Sequence, residues 1–259
     1  MSIVRAKKSF GQHFLRDQNI AKKITDSLLP LTIEVLEVGP GMGVLTRHLL
    51  ARGDFSVRAI DIDRESIEYL HSELPANREQ IIYGDFLRID IAKWYAAPFS
   101  IIGNLPYNIS SQIFFKIIEN RHLVRQVVCM IQKEVAERIA ATYGNKTYGI
   151  LSVFLQTFYH VEYLFTVGEK VFDPPPKVKS AVVRFTRNER EELGCDEKLF
   201  FNVVKTGFNQ RRKTLKNSLR ELLPPGFESA LLGQRPEQLS ITDFLELCSG
   251  IQKSSGIPT

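Results

Sequence analysis

Residues 104–107, which read Asn-Leu-Pro-Tyr, bring together side chains that suit a reaction at an amine. They follow an apolar run, residues 99–103, which predicts a buried strand that opens into a loop. The Asn104 carboxamide oxygen and the Leu105 carbonyl can both accept hydrogen bonds from an amine, because Pro106 fixes the turn. Tyr107 can stack on the ring that carries the amine. The set suits methylation of an aromatic amine, although a strand followed by a proline turn explains the four residues equally well.

A glycine-rich turn, residues 37–43, follows the first predicted strand and reads Glu-Val-Gly-Pro-Gly-Met-Gly. Glycines in such a turn let the backbone bend tightly and approach a ligand closely. A dehydrogenase fingerprint would need glycine where Val44 stands, and no Lys-Ser/Thr pair follows to make a Walker phosphate loop. The spacing instead has the form that holds the methionine end of S-adenosylmethionine. We therefore predict that Gly39 and Gly41 contact this cofactor.

Two carboxylates follow the next two predicted strands. Asp61 ends the second strand, 22 residues after Gly39, where an acid can accept hydrogen bonds from ribose hydroxyls. Asp85 follows the third strand and can accept a hydrogen bond from the adenine amine, with Phe86 or Ile62 bracketing the ring. Together with Asn104, four successive strand ends carry a glycine, a carboxylate or a carboxamide. This succession predicts one cofactor pocket along that edge of the sheet.

Apolar strand-like runs alternate with amphipathic segments up to about residue 186, which predicts an α/β fold with a largely parallel, Rossmann-like sheet. The predicted strands are residues 33–38, 55–60, 80–83, 99–103, 126–131, 160–167 and 178–186. The predicted helices in this part are residues 44–52, 64–73, 111–120, 133–142 and 150–158. The last two strands have no room for a crossover helix between them, so we expect an antiparallel pair at the end of the sheet.

The chain changes character after a polar linker at residues 188–192. No strand signal recurs there, and residues 196–209, 213–222 and 240–250 have helical patterns. We therefore predict two domains: residues 1–187 would be the S-adenosylmethionine-binding catalytic domain, and residues 188–259 a small all-α domain that binds RNA.

Charge is concentrated in one segment of this basic protein, whose net charge is +5 and whose pI is about 9.0. Residues 208–220 contain five cations and no acid. On a helix, four of the five would share one face and suit RNA phosphates, whereas a solvated helix face is the simpler interpretation. The five cations are Arg211, Arg212, Lys213, Lys216 and Arg220.

Several classes of protein are disfavoured by composition. The three cysteines, Cys129, Cys195 and Cys248, are far apart and odd in number, which argues against a disulfide framework or a zinc knuckle. The histidines show no i, i+4 pairing, so we expect no metal site. No apolar run approaches the roughly 18 residues of a membrane span, and the basic N-terminus lacks the apolar segment of a signal peptide. We expect a cytoplasmic monomer that uses neither metal nor membrane.

Taken together, the motifs resemble those of the KsgA-type ribosomal RNA adenine dimethyltransferases. The motifs that carry the resemblance are residues 10–17, 37–43, 84–85, 104–110, 132–138, 172–184 and 208–219. The resemblance implies transfer of methyl groups from S-adenosylmethionine to the N6 amines of two adjacent adenosines in a hairpin near the 3′ end of small-subunit (16S) rRNA. It also implies an immature ribosomal subunit as the partner and a role in small-subunit biogenesis.

The resemblance also assigns individual roles. His13 and Leu15 would close over the cofactor, Asn104 would hold the target amine, Tyr107 would lie near the target ring, and Phe172 would stack on its other face. The cofactor contacts that it implies are those of Gly39 with the methionine part, Asp61 with the ribose and Asp85 with the adenine. Two residues depart from the pattern, because many relatives carry Glu at position 61 and some carry Asn at position 13.

Two other interpretations stay open. A methyltransferase of large-subunit rRNA that confers macrolide resistance shares the Asn-Leu-Pro-Tyr core, but residues 172–184 and 208–219 are closer to the KsgA-type pattern. A ribosome-assembly factor that chiefly binds immature small subunits is also compatible with the sequence. The intact cofactor loop argues against a purely binding role.

Overall fold

The computed structural model describes residues 4–256. It combines a seven-stranded sheet and a two-stranded ladder with nine α-helices among the described residues. The strands are β1 (Phe14–Leu15), β2 (Glu34–Val38), β3 (Ser56–Asp61), β4 (Ile81–Tyr83), β5 (Phe99–Asn104), β6 (Val124–Gln132), β7 (Tyr159–Val167), β8 (Phe172–Asp173) and β9 (Ser180–Arg187). The helices are α1 (Gln18–Asp26), α2 (Val44–Arg52), α3 (Arg64–Glu73), α4 (Ser110–Glu119), α5 (Lys133–Ala140), α6 (Ile150–Phe158), α7 (Glu197–Asn209), α8 (Leu215–Ser218) and α9 (Ile241–Ser254).

The large sheet has the strand order β4-β3-β2-β5-β6-β9-β7. The first five of these strands pair in parallel, and β9 runs antiparallel to β6. The parallel strands are nearly continuous apolar runs because helices cover both of their faces. The α/β fold is confirmed, and the two strands expected at the end of the sheet, β7 and β9, are neighbours there.

The strand order places the candidate site residues at the point where the chain changes direction across the sheet. From β2 the chain proceeds outward through β3 and β4, and then returns to β5 on the other side of β2. Ligands of open α/β sheets bind in the crevice that this reversal leaves beyond the carboxyl ends of the strands. The glycine-rich turn after β2 and Asn104 at the end of β5 both lie at this crevice.

The chain divides into two compact units. The first contains the described residues up to Ala136 together with Val161–Arg187, and the second contains Glu137–His160 and the described residues from Asn188 onward. The first unit therefore contains the crevice and most of the sheet. The second unit is built around aromatic side chains, with Phe154 packed edge-on against Phe201 at a ring-centroid distance of 4.6 Å. One boundary coincides with the linker expected from the sequence, and the roles of the two parts stay predictions.

Two helical features differ from expectation. No helix was predicted before β2, but α1 lies there, and the Asp17 side chain accepts hydrogen bonds from the backbone N–H groups of Asn19 and Ile20 at its start. The helix predicted over residues 213–222 is wrong, because α8 contains only Leu215–Ser218. Thr214 is extended, and the Leu215 N–H donates to the Gln234 carbonyl at 2.8 Å. Burial of Leu215 and Leu219 determines the path of the chain here more than helix propensity does.

Neither a membrane helix nor a metal cluster occurs between residues 4 and 256. Within that range no helix is long and apolar enough to cross a membrane. The same residues contain no group of three or more His, Cys, Asp or Glu side chains placed to hold a metal ion.

Candidate active site

A cavity lies at the crevice, bounded by the carboxyl ends of the strands and by the segment that precedes α1. Most of the site residues predicted from the sequence line it. These are His13, Leu15, Gly39, Gly41, Asp61, Ile62, Asp85, Asn104, Leu105, Pro106 and Tyr107. The fold therefore brings together residues from five separate parts of the sequence.

The glycine-rich turn forms the floor of the cavity and needs its glycines for conformational reasons. Gly39 and Gly41 have φ values of 73° and 53°, in the left-handed region that side-chain-bearing residues rarely adopt. A Cβ atom at Gly41 would also lie 2.9 Å from the Phe14 ring. The Arg47 guanidinium holds the end of the turn by donating to the Met42 carbonyl at 2.7 Å.

Asp61 is buried beside this turn. Its carboxylate accepts hydrogen bonds from the Gly41 N–H at 3.1 Å and from the Asp63 N–H at 2.9 Å. Burial raises the pKa of Asp61, and the backbone N–H groups oppose that rise. Each carboxylate oxygen retains a second lone pair, so Asp61 can still accept from a ligand hydroxyl while it holds the glycine turn in place.

Glu37 lies near the end of β2, at the start of the glycine-rich motif, and the sequence alone assigned it no separate role. It lines the cavity with an exposed fraction of 1%, and its Oε2 atom has no hydrogen-bond partner among the described residues. Burial raises the pKa of Glu37 to about 8, and the Asp61 carboxylate adds to that rise. A buried carboxylate with an unpaired oxygen needs either a proton or a cationic ligand. An acid inside an apolar strand was the available signal.

The loop after β4 supplies Asp85. Its carboxylate accepts from the Leu87 N–H at 2.9 Å, while Lys116 on α4 donates to the carbonyls of Leu87 and Ile89 at 3.0 and 2.6 Å. Ile62 lines the cavity as expected, but Phe86 is not among the described residues that line it. Phe86 is buried instead, and the Lys116 ammonium lies 5.8 Å from its ring centroid.

The Asn104 side chain has a defined orientation. Its Nδ2 donates to the backbone carbonyl of His13 at 2.9 Å, which leaves Oδ1 as the acceptor for another group. Leu105 is fixed next to it, because its N–H donates to the Met130 carbonyl at 3.0 Å. The Tyr107 hydroxyl lies 2.6 Å from Ser180 Oγ, and the Tyr107 ring stacks on His13 at a centroid distance of 5.6 Å.

The segment before α1 forms one wall of the cavity and is anchored to the segment that connects β7 and β9. β1 pairs with β8, with Leu15 opposite Phe172. His13 Nδ1 lies 2.7 Å from the Pro174 carbonyl oxygen, and the side chains of Arg16 and Asp173 form an ion pair. His13 and Leu15 are thus held in position to cover a ligand.

Phe172 is the residue whose position differs most from the implied one. It has an exposed fraction of 4%, belongs to the same hydrophobic core cluster as Leu15, Val167 and Val182, and is not among the described residues that line the cavity. A large apolar ring gains more by complete burial than by partial exposure at a rim. The aromatic rings that the structure does bring to the cavity include Tyr107 and Phe14.

The five predicted RNA-binding cations lie in the second unit. Arg211 has an ion pair with Glu237 at 3.7 Å and donates to the Asn145 carbonyl at 3.4 Å. The four others are exposed at the surface. Because α8 begins only at Leu215, Arg212 and Lys213 lie in the turn after α7, and the single helical face predicted for the set is wrong.

Comparisons with known proteins bear on this arrangement. Residues 3–252 match the family described as ribosomal RNA adenine dimethylase. A Parabacteroides distasonis protein named ribosomal RNA small subunit methyltransferase A is 55% identical over 98% of this chain and 96% of its own length. A Cytophaga hutchinsonii protein of the same name is also 55% identical, over 95% of this chain and 97% of its own.

Two solved structures extend the comparison to the fold. A dimethyladenosine transferase from Plasmodium falciparum has a TM-score of 0.79 and 26% identity, covering 94% of this chain and 98% of that one. The 23S rRNA methyltransferase ErmE has a TM-score of 0.67 and 26% identity, covering 91% of this chain and 99% of that one.

Proposed function

The chain belongs to the ribosomal RNA adenine dimethylase family, and from this premise we propose that it dimethylates two adjacent adenosines of small-subunit rRNA. The methyl groups would be added to the N6 amines in a hairpin near the 3′ end of the 16S rRNA, during small-subunit biogenesis. The observation that carries the proposal is the orientation of Asn104, whose free Oδ1 acceptor lies in the cavity at the switch point of the sheet.

The residues of the cavity fit S-adenosylmethionine. The unpaired oxygen of the buried Glu37 carboxylate suits the cationic methionine end, beside glycines that carry no side chain to exclude a ligand. Asp61 would hold the ribose and Asp85 the adenine, with Ile62 against the ring. When bound, this cofactor supplies a methyl group that is attached to a sulfonium sulfur. After the transfer, the rest of the cofactor is a neutral thioether.

Asn104 and Leu105 would act on the target amine. The Asn104 Oδ1 atom and the Leu105 carbonyl oxygen would accept hydrogen bonds from its N–H groups, and their partial negative charge would favour the amine as it becomes tetrahedral and positive. Pro106 fixes the turn that presents these oxygens. Most of the acceleration then comes from positioning, since sulfonium is a good leaving group. The amine proton can leave to water.

Tyr107 would hold the ring of the target base. An adenine must leave its stack to enter the cavity, which costs a few kcal/mol. Stacking on an aromatic side chain contributes about 1–3 kcal/mol per base and offsets that cost. The Tyr107 ring is already oriented by its hydroxyl contact with Ser180, so an incoming adenine would extend or replace its stack with His13. We expect Phe172 to act through packing, because it is buried.

The cations of the second unit would bind RNA outside the cavity. Arg212, Lys213, Lys216 and Arg220 are exposed and suit the phosphates of a folded RNA. Phosphate contacts fix orientation, whereas the cavity selects the adenosine. The partner would be rRNA within an immature small subunit, bound by a monomer in the cytoplasm.

The choice of ribosomal subunit provides the test. Purified protein is incubated with S-adenosylmethionine carrying a labelled methyl group and with small or large subunits that lack the modification. Label in the small-subunit rRNA alone is the expected result. Label in the large subunit would indicate the macrolide-resistance type of activity. Binding to immature small subunits without label would indicate an assembly factor that does not methylate.

A further inference from the structure

Asp63 lies two residues beyond Asp61 and is not part of the cavity lining, yet its side chain is completely buried. It is the N-cap residue of α3, where its carboxylate accepts a hydrogen bond from the Glu65 N–H at 3.2 Å. A cap needs only one such contact from a carboxylate. Ser66 Oγ in the same helix donates to Asp63 Oδ2 at 3.2 Å, and the remaining lone pairs of the carboxylate are directed to a different part of the chain.

The partners of those lone pairs belong to the segment that forms the cavity wall. Lys7 Nζ lies 2.5 Å from Asp63 Oδ1, and Gln12 Nε2 donates to Asp63 Oδ2 at 2.9 Å. The Gln12 amide is itself oriented, because its Oε1 accepts from the Lys7 N–H at 2.8 Å. Lys7, Gln12 and Asp63 thus form one hydrogen-bonded network. Gln12 immediately precedes His13, which lines the cavity.

The same residue also holds the buried acid of the cavity. The Asp63 backbone N–H donates to Asp61 Oδ1 at 2.9 Å, while the Asp63 side chain binds the wall. Burial raises the pKa of the Asp63 carboxyl, but hydrogen bonds from Lys7 and Gln12 outweigh it and the net pKa is lowered. The contact with Asp63 raises the pKa of Lys7. The network is therefore ionic and partly shielded from water.

We propose that Asp63 is a positioning residue for the cofactor: through Lys7 and Gln12 it keeps residues 7–15 closed over the cavity, and this network must open for the cofactor to exchange. This inference rests on the proposed function, since it takes S-adenosylmethionine as the ligand. A protein whose wall is closed in only a fraction of molecules binds its ligand more weakly by that fraction. Loss of the network should thus weaken binding and speed dissociation while sparing the methyl-transfer step.

The test compares Asp63→Asn with Asp17→Asn. Asparagine caps helices as well as aspartate does, so both variants keep their caps. Only the first removes the buried carboxylate that binds Lys7, and it leaves the exposed Glu65 carboxylate 3.1 Å from the Lys7 ammonium. For Asp63→Asn we expect cofactor affinity to fall about tenfold and dissociation to quicken to match, with kcat at saturating cofactor within about twofold of the wild type. Hydrogen exchange of residues 7–15 in the free protein should also rise. Asp17→Asn should match the wild type in all of these.

The inference would be overturned if Asp63→Asn had the cofactor affinity, the cofactor dissociation rate and the hydrogen exchange of the wild type. A fall in kcat equal to the fall in affinity would also overturn it, because it would place Asp63 in the chemical step. If Asp63→Asn does not fold, Lys7→Met is measured in the same way with the same expectations. Failure of the wild type to bind S-adenosylmethionine at all would instead overturn the proposed function. Hydrogen exchange then still decides whether Asp63 holds the wall.

Discussion

The chemistry proposed for this protein depends on a few polar atoms in the cavity, and Asn104 has the clearest geometry. Its Nδ2 donates to the His13 carbonyl, so its Oδ1 is left to accept a hydrogen bond from a ligand without reorganisation. Removing one preorganised polar contact to a transition state commonly costs 100- to 1,000-fold in rate. We predict a loss of about that size for Asn104→Ala, with cofactor affinity within a few-fold of the wild type.

The measurement is methyl transfer at saturating cofactor together with calorimetric titration of S-adenosylmethionine. Near-normal turnover in Asn104→Ala would remove Asn104 from the chemical step. A large loss of affinity with normal turnover would make it a cofactor contact alone.

Glu37 gives a prediction about pH. Its pKa is raised from 4.5 to about 8, so the folded protein keeps a proton that the unfolded chain loses at lower pH. The associated stability is fully present below about pH 4.5 and is lost as the pH rises to about 8. Glu37→Gln cannot lose this proton. Near pH 8.5 we expect the free variant to be more stable than the wild type by up to a few kcal/mol, and near pH 4.5 to differ little.

Denaturant unfolding of the ligand-free proteins at several pH values measures the effect. Glu68→Gln is the control, because it removes an exposed carboxylate outside the cavity lining. Parallel pH profiles for the wild type and Glu37→Gln would contradict the account of Glu37.

At the scale of the elements, the loop after β4 depends on α4. The Lys116 ammonium donates to two carbonyls of this loop, and burial lowers its pKa. Methionine has a similar length but no donor, so Lys116→Met should loosen the loop that carries Asp85. We expect a severalfold loss of cofactor affinity with little change in kcat. Lys93→Met, at an exposed lysine, is the control. Unchanged affinity in Lys116→Met would show that Asp85 does not need this support.

How far the sequence predicts the elements is clear from particular cases. β2 to β6 were predicted because buried parallel strands read as continuous apolar runs. The residues at their ends followed from that placement, which is why Gly39, Asp61, Asp85 and Asn104 line one cavity. Helix α8 was not predictable in this way. The packing of Leu215 and its backbone contact with Gln234 are long-range effects that local pattern does not contain.

The site shows the same limit. Phe172 and Phe86 are aromatic residues beside functional motifs, and either burial or ligand contact suits such a side chain. The structure places both in the interior. Glu37 was missed for the opposite reason, because its unpaired oxygen becomes evident only once the strand is buried. In the network of Asp63, the partners Lys7 and Gln12 are 56 and 51 residues away in the sequence. Local sequence patterns do not contain such contacts.

At the scale of the whole molecule, the proposed substrate is a particle far larger than the cavity, and the exposed cations of the second unit are the residues proposed to bind it. Replacing Arg212, Lys213 and Lys216 by Ala should lower affinity for small subunits and flatten its salt dependence. We expect the log–log slope to fall by roughly 0.7–0.9 per lost phosphate contact. Calorimetric titration should show unchanged cofactor affinity, because these residues do not line the cavity.

A triple variant of Arg78, Lys93 and Lys253 removes the same charge from other exposed positions and serves as the control. Equal salt slopes in the two triple variants would show that the predicted cations act only through net charge. If the log–log salt slope falls more in the control variant, the RNA-binding surface lies elsewhere.

The proposed product is two dimethylated adenosines, and mass mapping of the rRNA can identify it. Unmodified small subunits are incubated with the purified protein and S-adenosylmethionine, and the 16S rRNA is digested and its modified nucleotides are located. With the wild-type protein we expect two adjacent adenosines near the 3′ end, each with two methyl groups on N6. With Asn104→Ala we expect neither adenosine to be methylated. Methylation of another base or of another atom of adenine, or unmodified 16S rRNA with the wild-type protein, would contradict the proposed function.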